Sequence, residues 1–471
     1  MNKRKIIAIL LTFSFVNMNF LPAFAISETK AQKKAELKKE KMLKHKVKRN
    51  KKYNDDYKYE YINIDFWKSF NDENLNNYIN LAVKNNHDLK MATLTVDEFY
   101  QATKIQLANE IPQATLGFSP AYLKAFGNEA DWQFAFPMII NYEVDLFLKN
   151  RDKTRSAKKM YQGAKDDERA AYISIASAVG TVYFNLVKLN EIISSQEEIV
   201  KLRKEIYDIM LVSNNEGLVS TSDTVKANKA YIYGNSELID YKKQQTMLMH
   251  KLATLIGESP DNIDNLKISQ LSEIKYTKEI PSEISSEIIT NRPDYLKSVK
   301  MLEKYGIDVR VAKKEFLPSI NLSGLALFLS QMGGSGLFNT NNGIYSVAAA
   351  AMLPVLTGGK RIANLKIKKI QYDKMLENYH KTNLTAIQEV NDALVSVKRD
   401  DEKLKEHTKQ LNLETQDFGY TQQRYEAGII SKLDLIQMKE NLLTVNQLVA
   451  NSTADCYVDY ISLYKAVGSK L

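Results

Sequence analysis

Cysteine is almost absent from this chain of 471 residues, which contains only Cys456. One cysteine cannot form a disulfide within the chain, so the fold cannot depend on an intrachain disulfide framework. The five histidines are scattered without the spacing of metal ligands, and no glycine-rich phosphate-binding loop is present. The sequence offers no catalytic constellation and no cofactor or metal site, and therefore predicts a protein that is not an enzyme.

Proline is also scarce, and its distribution predicts where the helices lie. None occurs between Pro137 and Pro260, and none follows Pro354. Because proline inside a helix costs roughly 3 kcal/mol, these two proline-free stretches predict long helices. Apolar residues step by three and four along both, as in helices packed in coiled-coil fashion. The two clearest sets are Val179, Val182, Leu186, Leu189 and Ile193, and Leu384, Ile387, Val390, Leu394 and Val397.

A glycine-centred turn interrupts each stretch once, at 214–217 and at 425–428. Glycine suits the left-handed residue that ends a helix. A Ser-x-x-Asp sequence follows each turn and fits a capping box that begins the next helix. The two pairs are Ser220 with Asp223 and Ser431 with Asp434. Each half is therefore predicted to contain one long helical hairpin, whose first helix would be on the order of 100 Å long.

The excess of basic residues is confined to the N-terminus. The formal net charge is +9, but residues 1–25 contribute +3 and residues 26–52 another +9, which leaves −3 for the remainder. The body is nearly neutral, so the pI near 9.0 does not indicate nucleic-acid binding.

Residues 1–25 have the pattern of a secretory signal peptide, with a basic start, an apolar stretch and Ala23-Phe24-Ala25 as cleavage site. A retained membrane anchor is the alternative, although the apolar stretch is short of the ~20 residues that a spanning helix needs. No cysteine follows the cleavage site, so no lipidation is expected there. Residues 26–62 are expected to be a flexible Lys-rich segment, either a solvated tether or a contact with anionic lipid or peptidoglycan.

Alternating segments precede each hairpin. From Trp132 to Leu146 every even-numbered residue is apolar, and a partner strand is expected at about 114–122. The second half offers 319–330 and 345–356. An ordinary soluble β-hairpin is the alternative, but strands of more than ten residues with aromatic ends favour a membrane barrel.

Four strands cannot close a transmembrane barrel, since about eight is the minimum and open edges are not tolerated in lipid. Three copies would supply twelve, so a homotrimer is the economical assembly. The predicted fold class is an α+β membrane protein. Each chain would contribute four strands to a trimeric 12-stranded outer-membrane β-barrel and two hairpins to a long α-helical coiled-coil tunnel.

The chain also repeats itself once. Asp294 occupies the position equivalent to Asp88, 206 residues later, and Asp434 the position equivalent to Asp223, 211 residues later. A copy of about two hundred residues is a duplicated half rather than a solenoid repeat. The predicted organisation is a signal peptide (1–25), a Lys-rich segment (26–62), a first repeat (63–262, with strand pair 113–147 and hairpin 148–257), a linker (263–280) and a second repeat (281–471, with strand pair 319–357 and hairpin 358–468).

Several short motifs occur in a fixed order over roughly residues 66–468. They are Phe66-Trp67-x-x-Phe70-x-Asp72-x-x-Leu75, Tyr142-Glu143-Val144-Asp145-Leu146-Phe147, Arg292-Pro293-Asp294, Phe316-Leu317-Pro318-Ser319-Ile320, Leu353-Pro354-x-x-x-Gly358-Gly359-x-Arg361, Gln388-Glu389-Val390, Arg424-Tyr425-x-x-Gly428 and Leu463-Tyr464-Lys465-Ala466-x-Gly468. In these motifs and their order, the chain resembles the TolC-type outer-membrane efflux proteins. It resembles their drug-efflux branch more than their protein-secretion branch. The resemblance implies a homotrimer in outer-membrane lipid, a tunnel across the periplasm, and docking to a periplasmic adaptor and an inner-membrane transporter.

The same resemblance implies a gate where the hairpin tips converge. The matching gate residues are Asp223, Tyr425, Leu433, Asp434 and Gln437. In three copies the aspartates would form acidic rings that select cations, and Leu433 could form an apolar ring that gates by dewetting. The alternative is that both aspartates only cap helices, which is compatible with a gate.

Two departures from the family pattern concern this gate. Some relatives have an arginine where this chain has Ile430 and an acid where it has Gln437. The inter-subunit salt bridges of those gates are therefore expected to be missing or replaced. Gly217 and Leu218 in the first tip, and Gly428 and Ile429 in the second, are candidates for adaptor contact, with a plain exposed turn as the alternative.

Three functions compete at this point. The first is an outer-membrane exit duct for small-molecule efflux. The second is a duct of the same fold for protein or peptide secretion. The third is a trimeric coiled-coil stalk without a pore, which the amphipathic strands in both halves disfavour.

Overall fold

The structure is a computed structural model that describes residues 60–123, 131–277, 284–331 and 343–469. The elements of the first half are α1 (Ile64–Lys68), α2 (Glu73–Asn85), α3 (His87–Ala108), β1 (Gln113–Leu116), β2 (Ser119–Leu123), β3 (Asp131–Val144), α4 (Lys149–Asn215) and α5 (Thr221–Ile256). Those of the second half are α6 (Pro293–Lys314), β4 (Ser319–Gln331), β5 (Gly343–Met352), α7 (Lys360–Glu426) and α8 (Lys432–Ala466). Short 3₁₀ helices cover Pro260–Asn265, Leu271–Glu273 and Ser286–Asn291.

Some predictions fall outside the described residues. These are the signal peptide, the Lys-rich segment up to residue 59, and the loop residues 124–130 and 332–342.

Both proline-free stretches are mostly helical, although the first begins with the second half of β3. Helices α4 and α7 have 67 residues each, and their returning partners α5 and α8 have 36 and 35. At about 1.5 Å per residue, each long helix extends for about 100 Å. Helix α4 is central, because it packs against α3, α5, α6 and α8.

The strands form one antiparallel sheet in the order β1/β2, β3, β4, β5. Its register places the even-numbered residues of β3 and β4 on the same face as the odd-numbered residues of β5, through pairs such as Phe136–Phe328 and Ala326–Tyr345. That face is apolar and aromatic. The opposite face contains Asn141, Asn321, Ser323 and Ser346, together with apolar residues in β4. Within the described strands, β1/β2 and β5 form the two edges of the sheet.

The first strand differs from the prediction, because the single strand expected at 114–122 is divided into β1 and β2. The residues opposite the break explain it. Gly117 N–H donates to Pro137 O at 2.8 Å, but Pro137 has no N–H with which to return the bond. The register is the same on both sides of the break, so Leu116 and Tyr122 stay on the apolar face.

The hydrophobic core lies where α1 packs between α4 and the end of α8. Phe66 stacks on Tyr464 with 4.3 Å between ring centroids, and Trp67 meets the same ring edge-on at 5.2 Å. Phe70 extends the cluster to Phe184 of α4 at 4.9 Å. Such buried aromatic pairs contribute beyond their area burial. The cluster joins the middle of α4, in the first hairpin, to the last turns of α8, in the second, and it lies far from both hairpin tips.

Candidate gate at the hairpin tips

The two hairpin tips have the same backbone geometry. Gly217 and Gly428 adopt φ of +75° and +73°, which favours glycine. The next residue in each tip closes a turn of the Schellman type, with Leu218 N–H donating to Ser213 O at 2.8 Å and Ile429 N–H donating to Arg424 O at 2.9 Å. Each tip is therefore a tight, hydrogen-bonded turn.

The tips present an exposed apolar residue at the same place. Leu218 is 72% exposed and Ile429 is 66% exposed. An ideal Cβ at Gly217 or Gly428 would have no atom within 4 Å. The four predicted adaptor-contact residues are therefore accessible, two in each turn. Adaptor binding at these turns stays a prediction.

Asp434 completes a capping box at the start of α8, whereas in α5 the cap is Ser220, whose Oγ accepts from Asp223 N–H at 3.2 Å. Ser431 Oγ donates to Asp434 Oδ2 at 2.7 Å and accepts from Asp434 N–H at 3.2 Å, and Ser431 N–H donates to Asp434 Oδ2 at 3.0 Å. These hydrogen bonds lower the pKa of Asp434, with a smaller effect from Arg424. In α5, Ser220 and Lys226 lower the pKa of Asp223 in the same way. Both carboxylates are exposed enough to face a solvent channel, and the Asp434 carboxylate also caps its helix.

The other predicted gate residues lie around Asp434. Tyr425 is in the last turn of α7, and Leu433 and Gln437 are in the first turns of α8. In the single chain Tyr425 and Leu433 are half-buried, whereas Gln437 is exposed. The structure thus brings these three residues together at the second tip, on the same end of the molecule as Asp223. Their role in a gate stays a prediction.

A ladder of polar contacts between α4 and α8 joins the two hairpins above the tips, and the sequence analysis missed it. From the core toward the tips, the contacts are Lys188–Asp455 at 3.4 Å, Gln447–Gln196 at 3.2 Å, Lys439–Glu198 at 2.7 Å, Arg203–Glu440 at 2.8 Å, and Lys432–Glu205. Arg203 and Glu440 are 237 residues apart in the chain. No local pattern could pair such residues. The ladder ties the first long helix to the helix that contains Asp434.

Two carboxylates, Asp400 of α7 and Asp459 of α8, face each other across the second hairpin. Burial, and next the neighbouring Asp400, raise the pKa of Asp459 to about 7. Asp455 and Lys403 also face this group. The neighbouring Asp401 and Glu402 form solvent-exposed ion pairs with Lys405 and Arg399. Asp400 differs from them, because it lies against the half-buried Asp459.

Comparison with known proteins agrees with this architecture. A family model described as "Outer membrane efflux protein" matches residues 78–258 and 284–469. The probable efflux pump outer membrane protein TtgC of Pseudomonas putida is 27% identical over 411 residues, which cover 85% of this chain and 84% of that protein. The toxin and drug export protein A of Aggregatibacter actinomycetemcomitans is 24% identical over 428 residues, covering 87% and 93%.

Solved structures resemble the chain over the same length. The crystal structure of the CmeC outer membrane channel of Campylobacter jejuni superposes with a TM-score of 0.77 and 26% identity, covering 87% of this chain and 88% of that one. These findings confirm the resemblance to TolC-type proteins and the predicted outer-membrane location. Because the family model matches both halves of the chain, the chain belongs to the outer membrane efflux protein family, a family of channel proteins rather than enzymes.

Proposed function

We propose that three copies of this outer-membrane efflux protein form the exit duct of a tripartite pump, which carries small molecules across the periplasm and the outer membrane. One observation carries the proposal. The sheet has two open edges, one apolar face, and helices of about 100 Å that follow directly from its strands. Open edges are not tolerated in lipid, and three such sheets supply the strands of a closed 12-stranded barrel.

Exposed apolar side chains at the two sides of the helical layer support a ring of subunits. Helix α3 packs mainly against α4, and α7 packs against α6 and α8, so each leaves one side open. On α3, Leu94 is 65% and Ile105 is 71% exposed, and on α7, Ile370 is 64% and Leu384 is 68% exposed. Contact between α3 of one subunit and α7 of the next would close a threefold ring and bury both sides.

We also propose that the chain consists of two structural repeats, 63–262 and 281–471, joined by a linker at 263–280. The support is the same order of elements in both halves: helix, strands, and a hairpin of a long and a short helix. The linker is not free of contacts, because Lys267 O accepts from Tyr78 Oη at 2.9 Å and Ser269 lies against Asp72. Two related halves per chain would give a trimer with pseudo-sixfold packing in the tunnel.

In this duct the hairpin tips form the periplasmic aperture. Three copies each of Asp223 and Asp434 would line it with carboxylates, which attract cations and repel anions. Leu433 would supply an apolar constriction. This chain has Ile430 and Gln437 where some relatives have the residues of an inter-subunit salt bridge. The ladder Arg203–Glu440, Lys439–Glu198 and Lys432–Glu205 within each chain would hold the closed state instead.

The partners are a periplasmic adaptor and an inner-membrane transporter. Leu218 and Ile429 are the exposed apolar residues that an adaptor would cover. The double variant Leu218→Asp, Ile429→Asp should fold and conduct as the wild type does but fail in efflux, since charge disfavours an apolar contact. Full efflux by this variant would remove the tips from the docking site.

Secretion of proteins or peptides through the same duct is the alternative function. The relatives include both an efflux pump outer membrane protein and a toxin and drug export protein. The discriminating experiment deletes the gene in its host and restores it on a plasmid. Small-molecule efflux predicts that the deletion raises dye accumulation and drug sensitivity and leaves the secreted proteins unchanged. Loss of a secreted protein without dye accumulation would establish the alternative.

A further inference from the structure

Helix α4 leaves the sheet between two helices of its own chain. On one side it faces α6, where Ser156 Oγ donates to Asp308 at 2.6 Å and Lys314 pairs with Asp152 at 2.7 Å. On the opposite side it faces α3, where Thr93 Oγ1 donates to Glu168 at 2.6 Å. A neighbouring subunit in the same layer of helices therefore cannot reach α4 in this region without displacing α3 or α6. The two faces of α4 that neither α3 nor α6 covers point out of this layer.

One of these two faces of α4 lies toward the polar side of the sheet. Lys149 lines a cavity of about 680 Å³ together with Glu143 and Ser319. Lys153, one turn further along, lines a second cavity with Asn141. Asn141 and Glu143 belong to the polar face of β3, so this side of α4 continues the wet side of the barrel.

The other face, at about half a turn from Lys149 and Lys153, is a cationic stripe. It contains Arg151, Arg155, Lys158, Gln162 and Lys165, spaced by four and three residues as on one side of a helix. The four cations are exposed, and no carboxylate occupies the stripe. Asp152, the acid next to Arg151, is buried beside α6 and shared by three cations, with Lys314 at 2.7 Å, Arg155 at 3.1 Å and Arg310 at 3.7 Å. Positive charge is therefore in local excess.

An exposed apolar segment comes directly before the stripe. Leu146 and Leu148 are 61% and 43% exposed, and they follow the apolar face of β3. Arg151 is three residues beyond Leu148, and Lys158 lies about 10 Å further along the helix axis. The headgroup layer on each side of a bilayer is about 5–8 Å thick, and arginine and lysine side chains can extend back toward it.

We propose that Arg151, Arg155 and Lys158 bind the phosphates of anionic glycerophospholipids in the periplasmic leaflet of the outer membrane. The inference rests on the proposed barrel, because the strands define where the headgroups lie. Charge complementarity and continuity with the apolar strand face favour lipid. The Lys-rich segment at residues 26–59 does not compete, since it is itself strongly cationic. Each subunit thus holds a set of anionic lipids at the junction of barrel and tunnel, where they fix the depth of the trimer.

The test compares lipid retention in the full-length protein and in R151Q/R155Q/K158Q. Both are reconstituted in nanodiscs of phosphatidylethanolamine with phosphatidylglycerol or with phosphatidylcholine, and bound lipids are counted by native mass spectrometry. One cation near a charged membrane surface changes lipid binding by about fivefold. We expect the preference for phosphatidylglycerol over phosphatidylcholine to fall by at least that factor in the variant, and to weaken with salt in the wild type.

Two controls make the result specific. R151K/R155K keeps the charges and should keep the preference. K204Q/K229Q/K243Q removes three exposed cations far from the membrane and should also keep it. Insertion with equal retention of both lipids by wild type and variant would overturn the proposal while leaving the barrel intact, and failure to insert would overturn both. Loss of binding to purified peptidoglycan in the variant, with no lipid preference in the wild type, would assign the stripe to the cell wall instead.

Discussion

Arg292 Nη1 donates a hydrogen bond to the backbone oxygen of Ala466 at 2.7 Å, which joins the start of α6 to the end of α8. An equivalent bond exists in the first half, where Asn86 Nδ2 donates to Leu255 O at 2.9 Å and joins the start of α3 to the end of α5. Both acceptors belong to the last turn of a returning helix, whose carbonyls lack partners within the helix. The two hairpins are thus anchored in the same way by different side chains.

Arg292→Ala should destabilise the protein more than Asn86→Ala. The arginine also pairs with Asp294 at 2.7 Å and Glu389 at 2.6 Å while its own side chain is 7% exposed, so its loss breaks charged hydrogen bonds as well. We expect about 2–3 kcal/mol for Arg292→Ala and about 1 kcal/mol for Asn86→Ala. Unfolding midpoints in detergent measure the difference. Asn86→Ala also removes the cap of α3, where Asp88 and Leu89 N–H donate to Asn86 Oδ1. A smaller loss for Arg292→Ala than for Asn86→Ala would therefore contradict a stabilising role of the ion pairs.

Asp434→Ala should raise channel conductance and weaken cation preference, because it removes three carboxylates from the aperture. The same change removes a capping box, so Ser431→Ala is the matched control. That variant loses the cap at a cost of about 1 kcal/mol but keeps the carboxylate. Ion selectivity in planar bilayers separates the roles. If both variants behave alike, Asp434 acts only as a cap.

Arg203→Gln should also raise conductance. Arg203 is 21% exposed and its partner Glu440 is 20% exposed, so the pair is partly desolvated and its loss frees α8 from α4 near the tips. The exchanged variant Arg203→Glu, Glu440→Arg should restore part of the closed state. A conductance unchanged by Arg203→Gln would rule out the ladder as the lock.

Asp459→Asn should remove a pH dependence of stability. Burial and the neighbouring Asp400 raise the pKa of Asp459 to about 7, so the folded protein binds a proton that the unfolded chain releases near pH 4. Stability from this group is therefore lost as the pH rises from about 4 to about 7. We expect the variant to melt about 2 °C or more above the wild type at pH 8 and no higher at pH 4. Asp401→Asn, which removes a carboxylate paired with Lys405 on the facing helix α7, should not stabilise the protein.

The helical part of the fold was largely predictable, because its signals are local. Absent prolines, glycine turns and Ser-x-x-Asp caps predicted hairpins turning at 214–217 and 425–428, and the helices end at Asn215 and Glu426. The strand break at Gly117 was missed because it depends on Pro137, which lies opposite it only after pairing.

The candidate gate was predictable only in part. Asp223 and Asp434 were found from their spacing to a serine and a glycine turn. The Arg203–Glu440 pair was not, since helix-surface charges of this kind are usually solvated. The pairing became visible only from the packing of α4 against α8. The cationic stripe on α4 also needed the structure, because its meaning depends on which faces α3 and α6 cover.

Single-channel recording of the purified full-length protein in planar bilayers tests the proposed duct most directly. A gated trimer with acidic rings at its aperture predicts spontaneous insertion and a small conductance that favours cations. Arg203→Gln should increase that conductance, and Asp434→Ala should increase it and reduce the cation preference. A protein that does not insert, or that inserts and never conducts in the wild type or in the gate variants, would contradict the proposal of a channel built from this chain.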